Sequence, residues 1–143
     1  MNLVVGATGL LGGLIVNKLM ARGKPVRAMV RQSSVSLGTE SVVGDLKDPE
    51  SLERACRGVT TVVTTANSAQ RGGADNIISV DLEGNRALIR AARNAGVRHF
   101  VFVSAAFVDP NSANPLFAAK ARTEEYLRAS DLTWTIIAPH AFL

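Results

Sequence analysis

The chain has 143 residues, of which 47% are apolar and 20% charged, a size and composition that predict one folded domain and exclude disordered and fibrous proteins. Its net charge of +4 is scattered along the chain with few aromatic residues beside it, so we expect no nucleic-acid partner. One cysteine, two histidines and the lack of any long apolar run predict a cytoplasmic protein with no metal and no membrane partner.

Short β-rich segments alternate along the chain with segments of helical periodicity. Strands are predicted over residues 3–6, 26–30, 41–43, 60–65, 100–104 and 133–138, and helices over residues 10–21, 49–57, 75–95 and 116–129. Several of the strands are apolar almost throughout, as a parallel sheet covered by helices on both faces requires. The alternation therefore predicts an α/β domain built on one doubly wound parallel sheet.

Several residues at the helix ends support these boundaries. Gly23 is placed to cap the first helix at its carboxyl end, and Asp48 is placed to cap the second at its amino end. Pro49 suits the first position of that second helix, which we expect to stop at Gly58. Gly84 lies inside the third predicted helix at a cost of about 1 kcal/mol relative to alanine, which indicates close packing at that turn.

The turn between the first strand and the first helix carries the clearest chemical signal. It reads Gly6-Ala7-Thr8-Gly9-Leu10-Leu11-Gly12-Gly13. Glycines at this spacing let the backbone turn sharply and approach a pyrophosphate, which the free N–H groups of the helix can bind. The alternative is a plain glycine-rich turn, but the flanking strand and helix are the context in which the pattern binds a dinucleotide. The predicted cofactor-binding residues here are Gly6, Thr8, Gly9, Leu10, Leu11 and Gly12.

The end of the second strand bears on which cofactor binds. NAD-binding sheets usually place an acidic residue there, but no Asp or Glu occurs between Arg22 and Thr39. Arg31 ends the strand instead and can pair with a 2′-phosphate, which favours NADP(H) over NAD(H); the alternative is an ordinary solvated surface arginine. After the third strand, Asp45 and the N–H of Leu46 are predicted to contact adenine, with a simple turn aspartate as the alternative.

The ends of the fourth and fifth strands supply three further candidates. Ala66 and Asn67 follow the fourth strand, and Ser104 ends the fifth. In a doubly wound sheet these positions border the crevice outside the strand ends, so we predict contacts with ribose or nicotinamide. The alternative is that their polar groups only cap turns.

Seven segments together carry a family resemblance. They are the glycine turn, Val30-Arg31, Gly44-Asp45-Leu46, Asp81-x-x-Gly84-Asn85, residues 100–104, Lys120-x-x-x-Glu124 and Thr135-Ile136-Ile137-Ala138-Pro139. With them the chain resembles the atypical short-chain dehydrogenase/reductase superfamily, in its NmrA-like NAD(P)-binding branch. The resemblance implies a Rossmann domain over residues 1–143 with strand order 3-2-1-4-5-6, followed in such proteins by a C-terminal substrate domain that this chain does not include.

The chain departs from the superfamily pattern at its catalytic positions. Leu116 stands where the resemblance expects the catalytic Tyr, Ala106 where it expects Ser or Thr, and Ala138 where it expects Arg. Lys120 remains as the candidate catalytic residue, able to hold the nicotinamide ribose or stabilise negative charge, unless it only forms a surface ion pair with Glu124. The lone tyrosine lies six residues beyond Lys120, on the opposite helix face, and cannot replace the missing phenol.

The sequence therefore favours an NADPH-dependent reductase acting on a small carbonyl, quinone or enone. A first alternative is a non-catalytic NADP-binding redox sensor that acts through a protein partner. A second alternative is a sugar-nucleotide epimerase or dehydratase, against which the missing Tyr and Ser argue.

Overall fold

The computed structural model describes residues 1–68 and 72–140. Within this part of the chain six strands form one parallel sheet: Asn2–Val5 (β1), Val26–Val30 (β2), Glu40–Val43 (β3), Thr61–Thr64 (β4), His99–Val103 (β5) and Thr133–Ile137 (β6). Their order is β3-β2-β1-β4-β5-β6, and every neighbouring pair is parallel. The predicted fold class and strand order are confirmed, with strand ends displaced by single residues.

Helices cover both faces of this sheet. They are Leu10–Ala21 (α1), Pro49–Cys56 (α2), Glu83–Asn94 (α3) and Pro115–Ala129 (α4), with a π-helix, Ile77–Leu82, leading into α3. One face packs against α1 and the opposite face against α2, α3 and α4, so each face has its own apolar cluster. No helix in the described ranges combines the length and the apolar character needed to cross a bilayer.

The predicted caps lie where the sequence placed them. Asp48 precedes α2, and its carboxylate accepts hydrogen bonds from the N–H groups of Glu50 and Ser51. Gly23 and Gly58 follow α1 and α2 with φ angles of +66° and +71°, which glycine adopts without strain. These local signals fix where α1 ends and where α2 begins and ends.

The third predicted helix differs from the prediction at its start. It begins at Ile77 rather than at residue 75, because Asn76 and Ser79 form a reciprocal capping box that satisfies the first N–H groups. Its first six residues are π-helical, and regular α-helix begins at Glu83. Gly84 packs closely as predicted, since a Cβ there would stand 2.8 Å from Cβ of Leu46.

Candidate cofactor site

A cavity of about 610 Å³ opens at the carboxyl ends of the strands. Its lining combines the turn after β1, the ends of β2, β4 and β5, one side of α4 and the segment after β6. The residues are Gly6, Thr8, Gly9, Leu10, Leu11, Leu14, Arg31, Thr65, Ala66, Asn67, Val103, Ser104, Ala105, Lys120, Pro139 and His140. The sheet thus brings most of the predicted site residues to one place.

Gly6, Gly9 and Gly12, which follow one another at intervals of three residues, differ in what surrounds them. Gly6 has φ +85°, and a Cβ there would stand 2.5 Å from Oγ1 of Thr65. Gly12 packs against Gly6 at the end of the strand, since a Cβ added at Gly12 would stand 2.6 Å from the carbonyl carbon of Gly6 and overlap that group. Gly9 lines the cavity, and a Cβ there would meet only the Gly6 oxygen, at 3.4 Å. Gly6 and Gly12 therefore serve the fold, whereas Gly9 leaves space on the cavity side.

The start of α1 suits an anion. Gly9 is the N-cap of this helix and has no side chain to occupy the first N–H groups, and the first turn contains no acidic residue. Those N–H groups lack helical partners, and the helix dipole is positive at this end. A cradle of this kind, beside a glycine without a Cβ, fits the pyrophosphate of a dinucleotide.

Arg31 enters the cavity from β2 but already has a partner. Its Nη1 donates to Oδ2 of Asp75 at 2.5 Å. The other oxygen of Asp75 accepts a hydrogen bond from the ammonium of Lys47. That ammonium also lies 3.0 Å from Oδ2 of Asp45. These four side chains, Arg31, Asp75, Lys47 and Asp45, form what we call the charge network. Asp75 lies 44 residues from Arg31 in sequence, and no local pattern in the sequence predicts this contact.

Asp45 and Leu46 are placed differently from the rest of the predicted site. Burial by itself would raise the pKa of Asp45, but hydrogen bonds from the backbone and ammonium of Lys47 outweigh it and hold that pKa below its ordinary value. The pKa of Lys47 is raised in turn, chiefly by its hydrogen bond to Asp75. Leu46 is buried under Gly84. In the described part of the chain neither residue borders the cavity, and their contact with adenine stays a prediction.

Lys120 lies in the wall of the cavity that the glycine turn also lines. Its ammonium donates to the carbonyl oxygen of Val103 at 3.5 Å and sits 5.6 Å from the centre of the Phe102 ring. Burial lowers its pKa below the ordinary lysine value, and the charges of Asp81 and Glu124 oppose that shift. The cavity position favours the functional interpretation of Lys120 over the surface ion pair.

Ser104 and Glu124 are partners at the back of this wall. The Ser104 hydroxyl donates to Oε2 of Glu124 at 2.7 Å, and Arg128 donates to Oε1 at 3.0 Å. Glu124 is thus held by these two groups. Because the Ser104 hydroxyl hydrogen is already used, a ribose or amide contact to Ser104 would have to be made through its lone pairs.

Asp81, which belongs to the Asp81-x-x-Gly84-Asn85 segment of the family resemblance, is a buried carboxylate. One oxygen accepts from the backbone N–H and the hydroxyl of Ser68, at 3.1 and 2.5 Å. The other oxygen, Oδ1, is buried without a hydrogen-bond partner among the described residues. Its negative charge helps to keep Lys120 protonated despite burial.

The positions that depart from the superfamily pattern offer no acid near Lys120. In the described chain Leu116 and Ala106 are both partly buried and neither lines the cavity. Tyr126 packs against α3, where Arg90 donates a hydrogen bond to its hydroxyl at 3.4 Å. Its side chain thus lies away from Lys120, as the spacing of six residues along α4 predicts. His140 does line the cavity and meets the exposed ring of Phe107 edge-on at 5.1 Å.

Comparison with known proteins identifies the family of this chain. Residues 6–143 match the family model described as NAD(P)H-binding. The chain is 37% identical over 139 residues to the photosystem II assembly factor Ycf39 of Cyanophora paradoxa, covering 94% of this chain and 43% of that protein. The chain thus spans less than half the length of this curated relative.

Two solved structures share the fold and contain nucleotide cofactors. A short-chain dehydrogenase/reductase superfamily protein from Agrobacterium tumefaciens with bound NAD superposes with a TM-score of 0.82 at 31% identity, over 96% of this chain and 48% of that one. The triphenylmethane reductase of Citrobacter sp., complexed with NADP(H), gives 0.77 at 32% identity, over 94% of this chain and 47% of that one.

Proposed function

This chain belongs to the NAD(P)H-binding family, as an NmrA-like Rossmann domain of the short-chain dehydrogenase/reductase superfamily, and from that premise we propose that it serves an NADPH-dependent reductase. The proposed acceptor is a small carbonyl, quinone or enone. The observation that supports this most directly is the shared cavity, which is lined by both Lys120 and the Gly9 turn. We also propose that a C-terminal substrate domain completes the acceptor site and that the protein works in the cytoplasm.

Each part of the cavity has a role in holding the cofactor. The first N–H groups of α1 would bind the pyrophosphate, and Arg31 would pair with the 2′-phosphate. Ala66, Asn67 and Ser104 line the cavity at the ends of β4 and β5 and would hold the nicotinamide half. When bound, the cofactor supplies the hydride. The protein positions it and provides the charge that the acceptor needs.

Lys120 is the group we assign to the acceptor oxygen. Reduction of a carbonyl adds a hydride to carbon and a proton to oxygen, and the usual phenol is replaced by Leu116. An ammonium in the cavity wall stabilises the negative charge that develops on that oxygen, and its burial-lowered pKa makes proton release easier than from an ordinary lysine. Lys120 thereby takes the charge-stabilising part of the missing Tyr–Lys pair.

The test follows NADPH oxidation with a panel of quinones and aldehydes. It uses the 143-residue chain and any longer form that its gene encodes, each with Lys120 intact or changed to Met. We expect the 143-residue chain to bind NADPH and to turn over at background rates, because the proposed C-terminal domain would complete the acceptor site. The longer form should turn over, and Lys120→Met should remove most of that rate.

A non-catalytic redox sensor is the second candidate. It is favoured by Leu116 and Ala106, which leave the two usual catalytic positions without a hydroxyl. The relative named a photosystem II assembly factor is consistent with a role exerted through a protein partner. NADPH binding without turnover in any form of the chain would support this candidate and contradict the reductase. The same missing hydroxyls argue against an epimerase or dehydratase.

A further inference from the structure

The charge network places a carboxylate where the proposed 2′-phosphate would bind. Asp75 accepts from Nη1 of Arg31 at 2.5 Å with one oxygen and from the Lys47 ammonium with the other. The Asp75 side chain is 8% exposed, whereas the Arg31 side chain is 51% exposed. A ligand that enters the cavity therefore meets the guanidinium of Arg31 already paired with the carboxylate of Asp75.

The backbone around Asp75 holds this carboxylate in position. Asp75 directly precedes Asn76, the N-cap of the π-helix, whose side chain accepts from the N–H of Ser79. The Ser79 hydroxyl donates to the carbonyl of Ala74 at 2.6 Å, and the N–H of Asp75 donates to the carbonyl of Gly72 at 3.2 Å. Asp75 is thus held by a turn on its N-terminal side and by the N-cap of the π-helix on its C-terminal side.

The charge network discriminates between the two forms of the cofactor by its charge balance. The two cations and two carboxylates of the charge network sum to zero, so a dianionic phosphate meets an Arg31 whose charge Asp75 already offsets, and it has to compete with Asp75 for that guanidinium. A ribose 2′-hydroxyl has no such requirement, because it can donate to a carboxylate while the Arg31–Asp75 pair stays closed.

We propose that Asp75 determines cofactor selectivity as an internal competitor for Arg31, which weakens NADP(H) binding and leaves NAD(H) binding intact. This inference rests on the proposed role of Arg31 at the 2′-phosphate. It predicts that the preference of the chain for NADPH over NADH is smaller than Arg31 without a competing carboxylate would give. It also predicts that removing the charge of Asp75 increases this preference.

The experiment measures the dissociation constants of NADPH and NADH by calorimetric titration of the 143-residue chain carrying Asp75→Asn. We expect the NADPH preference to rise about tenfold, the equivalent of one charge-assisted hydrogen bond gained by the phosphate. Asp131→Asn is the matched control, because it removes the same charge from an exposed pair with Arg93. Asp75→Glu, which keeps the charge, should preserve the wild-type preference. Asp75→Ser gives the same test if asparagine disturbs the turn.

Arg31→Ala separates the failure of this inference from the failure of the proposed function. If Arg31→Ala weakens both cofactors equally, the role of Arg31 at the phosphate is wrong, whatever Asp75 does. If Arg31→Ala weakens NADPH selectively but Asp75→Asn and Asp75→Ser leave the preference unchanged, only the competitor role is overturned. The effect of Asp75→Asn must also vanish in the Arg31→Ala background, since a gain that persists there reflects general charge and contradicts direct competition.

Discussion

Replacement of Gly9 by valine tests the pyrophosphate site most directly. Gly9 has φ −79° and ψ 172°, an extended conformation that valine adopts readily, and its Cβ would stand 3.4 Å from the nearest atom, the Gly6 oxygen. The fold therefore tolerates the change. The main cost is a poorer N-cap, worth up to about 1 kcal/mol and a fall of a few degrees in melting temperature.

The effect on binding should be much larger. The new methyl groups occupy the space through which a pyrophosphate reaches the first N–H groups of α1. Loss of two hydrogen bonds to a charged group, at about 1.5–3 kcal/mol each, corresponds to a decrease in NADPH affinity of more than about a hundredfold. Calorimetric titration of NADPH into wild type and Gly9→Val measures this difference, and circular dichroism with thermal melting checks the fold.

Neighbouring glycines provide the controls. Gly13→Ala adds a Cβ 3.5 Å from the carbonyl oxygen of Ala7, so affinity should stay within about twofold and stability should rise slightly. Gly12→Ala should prevent folding, because its Cβ overlaps the Gly6 carbonyl. The assignment of the pyrophosphate site to the Gly9 turn is refuted if folded Gly9→Val binds NADPH as tightly as wild type. It is also refuted if Gly9→Val unfolds while Gly12→Ala folds, since the two glycines would then have exchanged roles.

Three further predictions concern single side chains. Arg31→Ala should weaken NADPH by about 1.5–3 kcal/mol more than NADH in parallel titrations, and equal losses would make Arg31 only a surface charge. The free energy of unfolding should rise with pH between the lowered pKa of Lys120 in the folded chain and its ordinary value of 10.5, because in this pH range the unfolded chain binds more protons than the folded chain. Chemical denaturation curves measure this rise, and Lys120→Met should flatten it. Burial raises the pKa of the Cys56 thiol to about 11, so alkylation near neutral pH should be slow and should accelerate only when denaturant unfolds the domain; fast labelling of the folded chain would contradict this burial.

The sequence predicted the features that depend on local pattern and on general rules of topology. Strand order, the capping role of Asp48 and the close packing of Gly84 were all accessible, because each follows from a short segment or from the way parallel strands connect. Leu10–Ala21 was predicted with its observed bounds, since a glycine turn and a terminal glycine mark both ends.

The features that the sequence did not predict depend on contacts between distant segments. Absence of an acidic residue near the end of β2 favoured an unopposed Arg31, but the carboxylate comes from Asp75, 44 residues further on. The hydrogen bonds from Ser68 to the buried Asp81 and from Ser104 to Glu124 likewise join residues from different elements. Periodicity alone suggested one continuous helix from residue 75, and it did not register the capping box at Asn76.

The π-helix Ile77–Leu82 makes the position of Asp75 tolerant of a change in segment length. Its i to i+5 hydrogen bonds accommodate one residue more than an α-helical start would, and deletion of one residue lets the same segment close as α-helix. A π-helix turns through a smaller angle per residue than an α-helix, so such a deletion leaves the segments on either side in nearly the same orientation. Asp75 should therefore stay beside Arg31 after the deletion. A one-residue deletion within this π-helix is expected to preserve the preference between NADPH and NADH, whereas Asp75→Asn is expected to alter it.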